Sequence, residues 1–198
     1  SAGYVANDWY IGDLSNWDVS KVKYFQVMLN ATGLYDTDWT VGDLSNWDVS
    51  SGIQFNSMFM AAGARAVNFS LGNLSNWNMS NASLLNRMFY QAGQYSSTFD
   101  IGTLSNWYVS KVTTTKEMFY QAGYNVQSIE LYLSIWNTKS VTDFSSMFNN
   151  LGYSSTSVTL GDLSNWNVSS ATNMNSMFLR CGYSAIARFN IGNLATET

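Results

Sequence analysis

The string Leu-Ser-Asn-Trp, or a close variant, recurs along this 198-residue chain and sets tryptophans at Trp17, Trp47, Trp77, Trp107, Trp136 and Trp166. The steps between them are 30, 30, 30, 29 and 30 residues. A period of this size means that each unit is one supersecondary element that cannot bury its apolar face alone and must lay it on its neighbours. The expected organisation is one array: a partial coil over 1–14, coils near 15–44, 45–74, 75–104, 105–133, 134–163 and 164–194, and the start of a linker at 195–198. Ala2-Gly3-Tyr4 repeats Ala122-Gly123-Tyr124, and the chain closes on Ile191-Gly192-Asn193-Leu194, so both ends are expected to cut within the repeat of a longer array.

Each unit divides into three segments. The first alternates apolar residues, as in Trp39 and Val41, Phe69 and Leu71, Phe99 and Ile101, or Val158 and Leu160, which predicts a short strand with one buried face. Gly12, Gly42, Gly72, Gly102, Gly161 and Gly192 follow it and predict a positive-φ bend or a close backbone approach. The second segment is Leu-Ser-Asn-Trp-x-Val, whose Leu, Trp and Val are expected to point inward. Asn16, Asn46, Asn76, Asn106 and Asn165 precede the tryptophans and are expected to form an amide ladder from coil to coil. In the third segment Phe144, Met147, Phe148 and Leu151 lie at i, i+3, i+4 and i+7, as do Met174, Met177, Phe178 and Cys181. That spacing predicts a short helix, with Thr142 and Thr172 as N-caps and Gly33, Gly63, Gly93, Gly123, Gly152 and Gly182 as left-handed C-caps. The Met-Phe pair and Cys181 are read as core. The fold class expected from these segments is an α/β solenoid of about six 30-residue coils, each with short parallel strands and a short helix.

Coil five is irregular. It reads Glu130-Leu131-Tyr132-Leu133-Ser134-Ile135-Trp136, one residue short, with Tyr132 where glycine stands elsewhere and Ile135 in place of the asparagine. A break in the asparagine column and a local kink are expected there.

The function classes narrow on composition. The net charge is −4 and the nine basic residues are scattered, so the basic footprint that nucleic acid needs is missing. No apolar run is long enough to span a membrane. There is no histidine, one cysteine, and glutamate only at Glu117, Glu130 and Glu197. General acid–base or nucleophilic catalysis is therefore not expected, nor is a cofactor. A glycan-active enzyme would need two carboxylates across a groove, and no such pair is expected. Asp13 and Asp43, and Asp18 and Asp48, recur at equivalent places and raise calcium as a thought, but the columns continue as Asn73, Thr103 and Asp162, and as Asn78, Tyr108, Asn137 and Asn167. They are read as solvated turn residues, and no metal is expected. Triplets such as Asn30-Ala31-Thr32 and Asn78-Met79-Ser80 are by-products of the repeat, read as unglycosylated.

A binding function needs an exposed row. The residues between Trp and Val supply one: Asp18, Asp48, Asn78, Tyr108, Asn137 and Asn167, flanked by Ser20, Ser50, Ser80, Ser110, Lys139 and Ser169. A repeated polar face suits a long or multivalent glycan or protein ligand. Tyr90, Tyr120, Tyr124, Tyr153 and Tyr183 make a second row, read first as packing over the coil edges.

Trp17-Asp18-Val19-Ser20, Val141-Thr142-Asp143-Phe144-Ser145-Ser146-Met147-Phe148 and Thr172-Asn173-Met174-Asn175-Ser176-Met177-Phe178 follow a running phrase close to W-D-V-S-x-V-T-x-M-x-x-M-F. In this the chain resembles the BspA-like leucine-rich repeat surface proteins of bacteria, of mycoplasmal lipoprotein and Gram-positive wall-protein type, over essentially its whole length. Met28-Leu29, Thr115 and the irregular coil five depart from the pattern. The resemblance implies a leucine-rich-repeat-like stack and a non-enzymatic, exported protein held at the cell surface through regions outside this chain. It implies adhesion to a host or neighbouring-cell protein or glycan, with a ligand-free spacer as the alternative.

Overall fold

A computed structural model describes residues 10–186 and 188–190. The first nine residues of the expected partial coil, and the closing segment 191–198 with Gly192 and the expected linker, lie outside the described residues. Six strands of three residues form two sheets. β1 (Asp38–Thr40), β2 (Asn68–Ser70) and β3 (Thr98–Asp100) make the first, and β4 (Ser128–Glu130), β5 (Ser157–Thr159) and β6 (Arg188–Asn190) make the second, each in chain order. Every pairing is parallel and joins equivalent positions of successive repeats: Trp39 faces Phe69, Phe69 faces Phe99, and Ile129 faces Val158. The alternation accounts for the strands, since Trp39, Phe69, Ile129 and Val158 are buried between exposed or half-buried neighbours.

The α/β solenoid expected from the sequence, with its leucine-rich-repeat-like coils, is not what the chain forms. No α-helix occurs among the described residues, and the only helical turns there are two 3-10 turns, Leu44–Asn46 and Leu74–Asn76. The two small sheets are neither joined to each other nor closed. The segment that carries the helical spacing is a ribbon of turns. In the first repeat the N–H groups of Phe25, Val27, Leu29 and Ala31 donate to carbonyls of Gln54, Asn56, Met58 and Met60 in the next repeat. Those of Met28 and Asn30 close turns onto Phe25 and Val27. An α-helix needs the same N–H groups for its own carbonyls four residues back. Val27 and Ala31 also take φ of 62° and 51°, and Ser57 with Ala61, Arg87 with Gln91 and Glu117 with Gln121 repeat this. A left-handed residue every fourth position excludes a right-handed helix.

The apolar spacing keeps its meaning, because a run of turns also returns to one face every three or four residues. Phe144, Met147, Phe148 and Leu151 are all fully buried. Thr142 and Thr172 are not caps: their hydroxyls donate to the Thr113 and Thr142 carbonyls of the preceding repeat, each at 3.1 Å. Single parallel bridges run Tyr24, Gln54, Leu84, Thr114, Asp143, Asn173 and tie the ribbons of all six repeats together.

The core is built of columns. Indole rings stack from Trp47 through Trp77, Trp107 and Trp136 to Trp166, with centroids 6.1–6.3 Å apart and planes within 3–5°. Each indole Nε1 also donates to the leucine carbonyl of the preceding repeat, Trp77 to Leu44 and Trp107 to Leu74 at 2.8 Å, Trp47 to Leu14 at 2.9 Å. Phe59, Phe89, Phe119, Phe148 and Phe178 form a second column at 5.4–5.8 Å. Met58, Met88, Met118 and Met147 are fully buried, and Cys181 lies in the same core with its thiol pushed up to about 12 by burial.

The asparagine ladder is absent among the described residues. Asn46, Asn76 and Asn106 stand exposed and no side-chain bond joins them. Ile135 thus interrupts nothing: Trp107 and Trp136 remain 6.1 Å apart and parallel within 3°. The discontinuity lies one segment earlier, where β3 and β4 do not pair. Ser97 N–H reaches the Val67 carbonyl and Thr156 N–H reaches Gln127, but no backbone bond of this kind joins Gln127 to Ser97. The register of the other pairs would set Asp100 directly opposite Glu130, and like charges facing across neighbouring strands oppose pairing. Each carboxylate accepts a hydroxyl, Asp100 that of Ser70 and Glu130 that of Tyr132, both at 3.1 Å.

Candidate functional site

The six residues of the sequence-derived row, Asp18, Asp48, Asn78, Tyr108, Asn137 and Asn167, are all exposed, one to a repeat. Five of them do local work. Asp18 Oδ1 accepts the Ser20 N–H at 3.0 Å, Asp48 the Ser50 N–H at 3.0 Å, Asn78 the Ser80 N–H at 3.1 Å, and Asn167 the Ser169 N–H at 3.0 Å. Asn137 holds the Lys139 N–H at 3.3 Å. These are Asx turns, in which a side-chain oxygen replaces a backbone carbonyl and bends the chain. Hydrogen bonds from Ser20 and Ser50, first from the hydroxyl side chain and then from the backbone, hold the Asp18 and Asp48 carboxyls below the ordinary carboxylate value. Tyr108 is the exception. A phenol cannot make the Asx turn, and its ring is 64% exposed with no ring contact among the described residues.

Beside Tyr108 the surface forms a groove of about 280 Å³, lined by Ser75, Asn76, Trp77, Asn78 and Asn106. Two members of the row, Asn78 and Tyr108, thus share the wall of one concave place. The asparagine that precedes each tryptophan, expected to serve the fold, here supplies two exposed amides, Asn76 and Asn106, to the same groove.

The aspartates considered for calcium also cap turns. Asp13, Asp43, Asn73 and Asp162 accept the N–H of Ser15, Ser45, Ser75 and Ser164 at 2.9–3.0 Å. The glycine column explains the space they occupy: a Cβ at Gly72 would come within 2.0 Å of Asp43 Oδ1, so only glycine, here at φ 74°, leaves room for the carboxylate of the preceding repeat. The irregular coil keeps the logic. Tyr132 takes the glycine's place at φ 51°, and below it stands Thr103, whose short side chain bonds Ser105 and carries no carboxyl or amide. Among the described residues no three of His, Cys, Asp or Glu are grouped to hold a metal ion.

Asp100 and Glu130, from the unpaired strands β3 and β4, line a common groove of about 430 Å³ with Thr103 and Ser128. Two carboxylates on adjacent strands are legible in the sequence only once the register is known. Both are solvent-exposed.

The tyrosines form stacks of their own. Tyr90 lies on Tyr120 at 4.8 Å, and Tyr124, Tyr153 and Tyr183 follow one another at 4.6 and 4.9 Å with planes within 9°. The inner ring faces are thus occupied by neighbouring tyrosines, while Tyr183 at the end of its stack stays exposed. No helix among the described residues is long and apolar enough to cross a membrane.

The model of a family described as "Mycoplasma protein of unknown function, DUF285" matches residues 4–132 and, again, residues 96–196. No curated protein and no solved structure matches the chain.

Proposed function

The chain belongs to the mycoplasmal DUF285 family of tandem-repeat proteins, and on that premise we propose a non-enzymatic protein displayed outside the cell, which binds a host or neighbouring-cell glycan or protein through the exposed row at Tyr108. The observation that carries this reading is the Tyr108 groove. A free aromatic ring offers a face on which the C–H face of a sugar packs, and the amides of Asn76, Asn78 and Asn106 offer donors and acceptors to its hydroxyls. The repeated Asx residues extend the same polar chemistry on both sides and suit a chain-like ligand. The likeness of the repeat phrase to BspA-like surface proteins supports export, with attachment through regions outside this chain.

The test is a screen of the 198-residue protein against a glycan array and immobilised extracellular-matrix proteins, followed by Tyr108→Ala on any hit. The expected result is a hit weakened about tenfold by Tyr108→Ala, the equivalent of about 1.4 kcal/mol. Uniformly negative screens favour the spacer reading, in which the repeats only set distance. A second reading rests on Asp100 and Glu130, two carboxylates that line one groove, since a glycan-active enzyme works with a carboxylate pair. Hydrolysis of polymeric glycans that disappears in Asp100→Asn and in Glu130→Gln establishes it; no product above blank excludes it for the glycans tried.

A further inference from the structure

A second groove, of about 410 Å³, opens on the turn ribbons and shares no lining residue with that at Tyr108. Its wall carries Arg65, Tyr95, Gln91, Gln94 and Gln121 over a floor that includes Ala64. Arg65 holds the place that tyrosine takes in the neighbouring repeats. Its guanidinium lies 5.5 Å from the ring centroid of Tyr35 and 5.3 Å from that of Tyr95, one ring from each adjacent repeat. Cation–π contact on both sides fixes the group without neutralising it. The single ion pair among the described residues is Arg87 with Glu117, so no carboxylate of a described residue pairs with Arg65.

The glutamines are ordered in the same way. Gln121 Oε1 accepts from Gln91 Nε2 at 2.8 Å and from Gln94 Nε2 at 3.0 Å. Those two bonds use both lone pairs of the Gln121 oxygen and orient all three amides. They leave Gln121 Nε2 as donor and the Oε1 atoms of Gln91 and Gln94 as acceptors, with no partner among the described residues. Gln94 is buried to 8% exposure, so its orientation is held by packing as well.

We propose that this groove binds the carboxylate-bearing residue of an acidic glycan, a sialic or a uronic acid. The planar guanidinium takes the carboxylate with two parallel N–H donors. Sugar hydroxyls, each both donor and acceptor, pair with the mixed set of amide donors and acceptors, and the alanine floor accepts the C–H face of the ring. A net charge of −4 gives no general attraction for anions, so an acidic ligand would be recognised here by Arg65 itself.

The experiment is biolayer interferometry of the 198-residue protein on immobilised sialyllactose, a hyaluronate oligomer, lactose and poly-glutamate. The wild type is compared with Arg65→Gln and Gln121→Leu, each checked for native near-ultraviolet circular dichroism. The result expected is binding to sialyllactose or to the hyaluronate oligomer, the stronger of the two naming the source. Lactose should bind at least tenfold more weakly, and both variants should lose tenfold or more. Four results overturn the proposal: no binding to either acidic sugar, equal binding of lactose, affinity untouched by Arg65→Gln in a folded protein, or poly-glutamate bound as tightly as the sugars. If Gln121→Leu does not fold, Gln91→Ala takes its place with the same expectation.

Discussion

Single residues here are chosen as much for backbone angle as for side chain. Val27 is a β-branched residue at φ 62°, half exposed, with its N–H bonded to Asn56 at 3.2 Å. A non-glycine residue in the left-handed region costs about 1–2 kcal/mol. Val27→Gly removes that cost but adds back about 0.5–1 kcal/mol of chain entropy, so thermal denaturation should shift upward by about 1–2 °C. Asp18 and Asp48 give a pH dependence of known sign. Their carboxyls are held below the ordinary 3.8, so the stability they contribute is fully present above that value and is lost as pH falls through the lowered folded value. Carboxyl chemical shifts followed by NMR should show both midpoints below 3.8 in the folded protein, and Asp18→Asn should remove one midpoint while keeping the turn. The candidate site was partly legible at this scale. Tyr108 stood out because it broke a column of Asp and Asn, and that departure marks the groove. The remaining row is read from the sequence as solvated turn residues, and the structure adds which N–H each one caps, two residues on. The Trp Nε1 bonds had a readable signal, since a buried indole N–H needs an acceptor and every repeat offers the same one.

At the scale of the element, the three-residue strands followed from alternation and the turn ribbons did not follow from helical spacing. Phe25, Met28 and Leu29 fit either, because both structures return to one face at the same interval. What separates them is where the N–H groups go, and in this chain every second one goes to the next repeat. That destination is a property of neighbouring repeats and is not written in any one of them. The glycines expected as helix caps do take the left-handed region, at φ 48–55°, as the last such residue of each ribbon. At the unpaired junction of β3 with β4 the common register would face two carboxylates, Asp100 and Glu130. Glu130→Thr copies Thr159 and removes the like charge, so β3 and β4 should pair and their amides should gain protection in hydrogen–deuterium exchange. Unchanged exchange at 98–100 and 128–130 in that variant would assign the break to something other than Asp100 and Glu130.

The whole molecule is held by columns that run through successive repeats, and they do not all stop at the same place. The sheets are interrupted at β3 and β4, while the indoles, the phenylalanines and the ribbon bridges cross that junction unbroken. Truncating one member of a crossing column should therefore cost more than closing the gap in the sheet gains. Trp107→Ala is expected to lower stability by about 3–5 kcal/mol in urea denaturation, the usual cost of emptying a large aromatic site. The same column has an optical consequence. Indoles held face to face at 6.1–6.3 Å, five in succession, are close enough for their ultraviolet transitions to couple and for excitation to hop from ring to ring before emission. The native protein should show a coupled band in circular dichroism, and Trp107→Phe should weaken that band by cutting the line of chromophores in two.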